Sequence, residues 1–594
     1  MAVRRLTRRG FLGGLGATGA TAALRPVRGW ATTSAASMSS QVAVLGGGVG
    51  GLSVAHELAE RGLQVTVFEP KALGGKARSI PVAGTGTDGR RDLPGEHGFR
   101  FFPGFYKNSV DTMARIPEGG GTVLDHLLDA SQEMFVLPSG QAWLLPSFDA
   151  NGFEQGIRSV ITAVGLAASV PPNEIEYLVR KMLVFQTSSD ARRVGQWDNV
   201  SWWDFVNAGR FSPTYQQVFG NGLTKTLVAA KGTKASARTI ALVGLALIYS
   251  MMSHNNPLVA SQSGYGAADR LLDAPTNEAW IDPWVAHLRS LGVTFVQGYA
   301  ATKLRVDGGR IASATLTDDN GNALEVRADH YVAAMPVERA RALFDPAVRA
   351  AAPELAALDL LEYDFMNGIQ FFLNRMPTQA VHGHVAFLSS PWALTSINQG
   401  VFWNRDLAST YGDGRLHDIL SVDISDFFTP GILYGKAAVD CTPDEIAAEC
   451  WAQIKAGLNS PGDTQLSDDM LLDWFLDPAL VFGNGPATST EPLLINTPGA
   501  LAIRPDAATS IPNLFLAADY VRCDVDLATM EGANEAARAA ANAILDAAGS
   551  SEPRVPISRL WESPTWDINK SIDEQQYRMG LPNLLDVIPA AVPL

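Results

Sequence analysis

Five of the six residues in GGGVGG, Gly46 to Gly51, are glycine, and one carboxylate, Glu69, stands eighteen positions beyond the last of them. Gly46, Gly48 and Gly51 occupy the three glycine slots of GxGxxG, with Gly50 a further bare position in the same turn. The chemistry this spacing serves is anion binding. Backbone N–H groups freed of side chains approach a pyrophosphate closely, and an acid about 20 residues on accepts hydrogen bonds from ribose hydroxyls. A second glycine turn, Gly74-Gly75, leads into Lys76, Arg78 and Ser79, which sets two cations near the first loop. A third stretch, GEHGFRFFPGFYKN from Gly95 to Asn108, gathers Glu96, His97 and Arg100 among glycines and aromatics. These three are the candidate catalytic groups, and a turn packed by aromatic residues is the competing reading.

The elements that must position these residues are legible around them. QVAVL is a short, uncharged, β-branched run that suits an inner parallel strand, LSVAHELAERG has helical spacing and stops at Gly62, and LQVTVFEP is a second strand ending on Glu69. The resulting βαβ unit turns the positive end of its helix toward the phosphates. At this point the dinucleotide is either NAD(P) or FAD.

KALGGKARS resembles the GG-K/R-x-x-S segment of the flavin amine oxidase and carotenoid (phytoene) desaturase superfamily, and Asn513 to Leu545, NLFLAADYVRCDVDLATMEGANEAARAAANAIL, resembles its carboxy-terminal flavin segment. Met530, Glu531, Gly532 and Ala533 are similar to the desaturase-like or hydroxysqualene dehydroxylase-like branch in particular. The resemblance implies FAD as cofactor, held by Gly46, Gly48, Gly50, Gly51, Glu69, Gly75, Lys76, Arg78, Asp519 and Met530 to Ala533. It places Asp519 at the ribityl or phosphate region, points the helix after MEGA at the flavin ring, and sets Glu96, His97 and Arg100 beside that ring. Ala518 departs from the glycine more common in the family, so backbone and cofactor approach less closely there.

The expected fold is α/β. A Rossmann-like FAD-binding domain is assembled from residues 40–110, 280–350 and 490–548, and a mixed α+β substrate domain from 111–279 and 351–489. Gly292 to Pro336 alternates apolar and polar residues between two turns, which reads as antiparallel strands followed by a strand returning to the main sheet. Thr239 to Met252 is too short to span a bilayer and reads as a buried helix, lining either a core or an apolar tunnel. Met366 to Asn374 and Ser390 to Trp403 are strand-like, and residues 549–594 read as an irregular surface tail.

The formal net charge of −15, with six arginines and no Lys, Asp or Glu in the first forty residues, leaves an acidic body without a footprint for nucleic acid. Thr7-Arg8-Arg9-Gly10-Phe11-Leu12 and the Gly/Ala run after it resemble a twin-arginine export signal over residues 1–39. Export to the periplasm, cell envelope or exterior is therefore expected, with peripheral membrane contact allowed. Thr442, Pro443 and Glu445 mark a helix start. Helix at ~1.5 Å per residue keeps Cys441 and Cys450 about 13 Å apart, too far for a disulfide. Cys441, Cys450 and Cys523 are expected to be free, buried thiols. His382 and His384 would share one strand face, but no nearby residue supplies a third ligand, so they read as structural and no metal is expected. HExxH, GxSxG and Walker motifs are absent.

The family and the aromatic segments together imply an FAD-dependent oxidoreductase of the desaturase or dehydrogenase kind. It would transfer hydride from an apolar, carotenoid- or terpenoid-like small molecule to flavin N5, with a quinone or oxygen as electron acceptor. The alternatives are an exported FAD-dependent amine or amino-acid oxidase, a redox-neutral flavin-dependent isomerase or hydratase, and a non-catalytic isoprenoid carrier.

Overall fold

The computed structural model describes residues 40–145, 153–252 and 269–586. The export signal expected over residues 1–39 lies outside them. From β1 (Gln41–Leu45) the chain enters α1 (Val49–Ala59) and β2 (Gln64–Glu69), then a hairpin of β3 (Ser79–Val82) and β4 (Leu93–Glu96), and α2 (Asn108–Ala114). β5 (Gln132–Val136) and β6 (Ala142–Leu144) precede a helical region that includes α3 (Pro172–Thr187) and α4 (Ala237–Met251). The chain continues through β7 (Thr294–Gln297), β8 (Ala300–Asp307), β9 (Arg310–Thr317), β10 (Ala323–Val326) and β11 (His330–Ala333). Next come β12 (Asn367–Leu373), β13 (Gly383–Phe387), β14 (Thr395–Asn398), β15 (Asp418–Ile424), α5 (Pro443–Leu458) and β16 (Leu471–Leu476). β17 (Leu514–Leu516), α6 (Met530–Ala547) and α7 (Asp567–Arg578) complete it.

Two sheets organise these elements. The first has five parallel strands in the order β7-β2-β1-β11-β17. Its inner strands are buried along their length: α1 and α6 pack on the sheet, and Leu304, Ile311, Ala314 and Leu316 of β8 and β9 join the same core. Strands from three distant parts of the chain complete this sheet, which is the discontinuous Rossmann-like domain anticipated from GxGxxG. The segment expected to alternate forms the antiparallel sheet β8-β9-β10 and then delivers β11. The second sheet has seven strands in the order β16-β12-β15-β14-β13-β5-β6 and forms the floor of the mixed α+β domain.

α4 joins the two halves. Val243 and Ala246 pack into the core of the parallel sheet, while Leu242, Leu245 and Ile248 pack into the core of the helical region. No described helix is long and apolar enough to cross a membrane. The helix start at Thr442 is a complete capping box, and Cys441, Cys450 and Cys523 are free and buried.

One expectation needs correcting. The sequence leads one to expect an irregular tail, yet α7 lies within it, anchored by a carboxylate that the sequence pattern does not single out. Asp573 accepts hydrogen bonds from Arg192 Nε (2.9 Å), Ser189 N–H (2.8 Å) and Asn583 Nδ2 (2.8 Å), with both members of the Arg192–Asp573 pair 2% exposed. A buried guanidinium is costly without a counter-charge, and here the tail supplies it in Asp573.

Candidate active site

The glycine loop between β1 and α1 is held from three sides. Gly46 has φ +121°, the left-handed region, and a Cβ there would run into Ala334 O at the end of β11. A Cβ on Gly50 would strike Ala517 O just after β17. Gly74 N–H donates to Gly47 O at 2.8 Å, which lays the second glycine turn on the first with Gly75 against Gly48. No side chain caps α1 at Gly48, so the helix end remains open to an anion. Gly51 lies inside the same turn, packed on Gly46 O.

Glu69 ends β2 and accepts from Gly47 N–H (2.8 Å) and Lys71 N–H (2.9 Å). Burial raises its pKa, and those two N–H groups and Arg78 work against the rise. The expected cations are otherwise engaged. Lys76 Nζ donates to Pro492 O, and Arg78 donates to Gly75 O at 2.6 Å and to both oxygens of Glu491 at 3.2 Å. Burial would raise the Glu491 carboxyl, but Arg78, Lys71 and His97 outweigh it and hold it down at about 2.

From the carboxy-terminal segment, Asp519 is half-buried near Glu338. Thr529 caps α6 by accepting from Gly532 N–H at 3.0 Å, which sets Met530 to Ala533 in the first turn, and Ala533 O lies beside Gly50. Glu531 points elsewhere. Its two oxygens accept from the N–H groups of Lys107, Asn108 and Ser109, at 2.9, 2.7 and 2.8 Å, and so cap α2. The match at Glu531 therefore reflects helix anchoring, not a side chain free for a ligand.

The hairpin β3–β4 carries the site from the glycine loops to the second sheet. Ser79 is paired with Glu96, and Glu96 Oε1 accepts from Ser79 Oγ (3.1 Å) and Thr276 N–H (2.8 Å). Its backbone N–H donates to Gln370 Oε1 on β12 at 3.1 Å. Gly368 N–H donates to His97 O at 2.7 Å, an approach possible because Gly98 and Gly368 face each other. His97 Nδ1 lies 2.6 Å from Asp477 Oδ2 but off the line of its N–H, making an ion contact without an aligned hydrogen bond. Arg100 donates from Nη2 to Lys76 O at 2.7 Å, tying the candidate catalytic segment to the second glycine turn, and its Nε has no partner.

Two groups that sequence reasoning missed join them. Asp423 on β15 is buried against Gly98, its Oδ1 without a hydrogen-bond partner. Burial pushes its carboxyl up to about 7, with Asp477 and Glu96 adding to the rise and Arg100 and Phe99 N–H opposing it. Asp477, 1% exposed, accepts from Asn367 Nδ2 at 2.5 Å. For Asp423 the available signal was an acid inside a mostly apolar strand, DILSVDI, which also carries Asp418. Burial likewise raises the Glu96 pKa against the pull of Arg100.

An open cleft of about 1210 Å³, lined by Arg91, Glu278, Arg405 and Tyr411 among others, includes Ser79 but none of the glycine loop. It meets the residues described above at Ser79 and the β3–β4 hairpin.

The glycine cradle, the uncapped helix end and the acid at the end of β2 fit a dinucleotide, and the contact of Gly50 with the segment after β17 brings the two family-like termini onto one ligand site. Residues 44–116 match the profile of an NAD(P)-binding Rossmann-like domain, and residues 243–545, more than half of the chain, match that of flavin containing amine oxidoreductases. No curated protein sequence matches the chain. Among solved structures, a Methanosarcina mazei oxidoreductase aligns at TM-score 0.53 and 11% identity, covering 85% of this chain and 100% of its own. Cyclohexylamine oxidase from Brevibacterium oxydans aligns at 0.54 and 13%, covering 86% and 99%. A putrescine oxidase bound to putrescine aligns at 0.54 and 12%, covering 86% and 99%. At these identities the structures speak for the fold alone. The profile match and the paired glycine turns agree: the chain is an FAD-dependent enzyme and belongs to the flavin containing amine oxidoreductases.

Proposed function

We propose that the protein is an FAD-dependent oxidase of an organic amine with oxygen as acceptor. The observation that carries this reading is the buried acidic cluster formed by Glu96 of the Gly95–Arg100 segment with Asp423 and Asp477, which pack against that segment at Gly98 and His97. Burying carboxylates is costly in a site that receives only hydrocarbon, whereas a protonated amine brings the charge that Asp423 Oδ1 lacks. The desaturase reading keeps its support in Met530 to Ala533, but a hydrocarbon offers nothing to that oxygen.

Gly46, Gly48, Gly50 and Gly51 with the end of α1 would receive the pyrophosphate, Glu69 a ribose, Asp519 the ribityl or phosphate region, and the start of α6 the flavin ring. Gly75, Lys76 and Arg78 act by holding the second glycine turn in place. FAD, when bound, supplies the two-electron acceptor. Asp423, poised near neutrality, holds or accepts a proton at the substrate nitrogen. His97 keeps Asp477 paired, and Arg100 fixes the segment against the cofactor loop.

The test is anaerobic mixing with amines, amino acids and terpenoids, followed by peroxide assay in air. Flavin bleaching and peroxide release with an amine, lost by about 100-fold or more in kcat/KM for Asp423→Asn, is the expected result. Bleaching by a terpenoid and by no amine would transfer the assignment to the desaturase reading. The export signal belongs to the same proposal. Replacing Arg8 and Arg9 by lysine should strand flavin-loaded protein inside the cell, and unchanged export of that variant would refute it.

A further inference from the structure

We propose that Glu133, Asp269 and His384 bind one divalent transition-metal ion of the zinc, manganese or iron class. The sequence offers His384 no third ligand at short spacing, but the fold does. β5 and β13 run parallel with Glu133 and His384 directly opposite each other, and the strands lie so close that a Cβ on Gly383 would overlap Gln132 O. Asp269 arrives from a different part of the chain, held where its carbonyl accepts from Ala130 N–H at 3.1 Å, next to the short pairing of Arg270–Leu272 with Leu127–Asp129. One ligand atom from each of the three lies within 4.8 Å of the others.

Asp269 and His384 are 3% and 7% exposed, yet Asp269 Oδ1 and His384 Nε2 have no hydrogen-bond partner. The other approach between them, His384 Nδ1 to Asp269 Oδ2 at 3.8 Å, is too long for a hydrogen bond. Buried polar atoms are almost always satisfied, and two orphans facing one cluster call for a ligand. Phe99 and Phe101 close on the imidazole with ring centroids 5.2 Å away, keeping water from that side. One imidazole and two carboxylates form a nitrogen and oxygen set suited to zinc, manganese or iron, and three protein ligands leave a position for water. Metal–ligand bonds of ~2.0–2.2 Å would draw ligand atoms to about 3–4 Å apart, a modest closing from their present spacing. His382 takes no part. It precedes β13, bonds Ser131 Oγ at 3.0 Å and packs on Phe402.

The experiment measures metal content of the full flavin-loaded chain purified without chelator, then titrates chelator-treated protein with Zn2+ and with Mn2+. About one equivalent per chain is expected, with His384→Ala and Asp269→Asn each weakening uptake by more than ~100-fold, beyond the effect of groups that merely orient a ligand. His382→Ala should bind as the unaltered protein does, and flavin content reports whether each variant is folded. A wild-type chain that neither retains nor takes up metal overturns the proposal, and so does uptake of equal strength in folded His384→Ala. Should both ligand variants fail to fold, Glu133→Gln, at a half-buried position, carries the comparison, and undiminished affinity there has the same force.

Discussion

Asp423 couples the site to pH. Unfolded, it gives up its proton near its ordinary 3.8; folded, burial makes it keep that proton up to about 7. Between those values the native chain holds the extra proton, so this residue opposes folding increasingly as pH rises, and fully above about 7. Asp423→Asn removes that slope. Its melting temperature should rise relative to wild type between about pH 4 and about pH 8, by the equivalent of on the order of 4 kcal/mol, and parallel melting curves across that range would contradict the assignment. Gly50 tests the cofactor side at the same scale. Gly50→Ala places a methyl group against Ala517 O, backbone that has no side chain to swing away. The variant should lose ~1–3 kcal/mol or more of stability and purify with little flavin, read from the flavin-to-protein absorbance ratio.

Among the elements, α2 and α7 are held by carboxylates reaching across long stretches of chain. Glu531 caps α2 from the first turn of α6, so one residue ties α2, which follows Arg100, to the helix whose first turn lies beside Gly50. Asp573 fastens α7 to Arg192 with both groups buried. Asp573→Ala leaves that guanidinium unpaired and should destabilise the helical region by about 3–5 kcal/mol, while Asp573→Ala with Arg192→Met recovers much of the loss. Limited proteolysis of the tail with a thermal melt checks this, and equal melting of the single variant and wild type would count against the clamp.

For the whole molecule, the parallel sheet closes only when residues 41–69, 294–297, 330–333 and 514–516 meet. A cofactor touching both the glycine loop and the start of α6 therefore links the ends of the fold. Stripping FAD should lower the melting temperature, and FAD at about a hundredfold its Kd should restore ~2.7 kcal/mol. A melt indifferent to FAD would show that the loop and α6 do not share it.

Local order was readable in the residues themselves. The βαβ unit, the glycine spacing, the helix start at Thr442 and the alternation of β8 to β10 are properties of near neighbours, set by sterics and by periods of two and 3.6 that neighbouring side chains reveal. Which distant groups would share one interior belonged to the tertiary structure. Asp423 against Gly98, Asp573 on Arg192, and Asp269 beside Glu133 and His384 join residues with no common pattern along the chain. Each is a buried acid whose surroundings, a paired arginine for Asp573 and an oxygen without a hydrogen-bond partner for Asp423 and Asp269, are set by packing between distant segments.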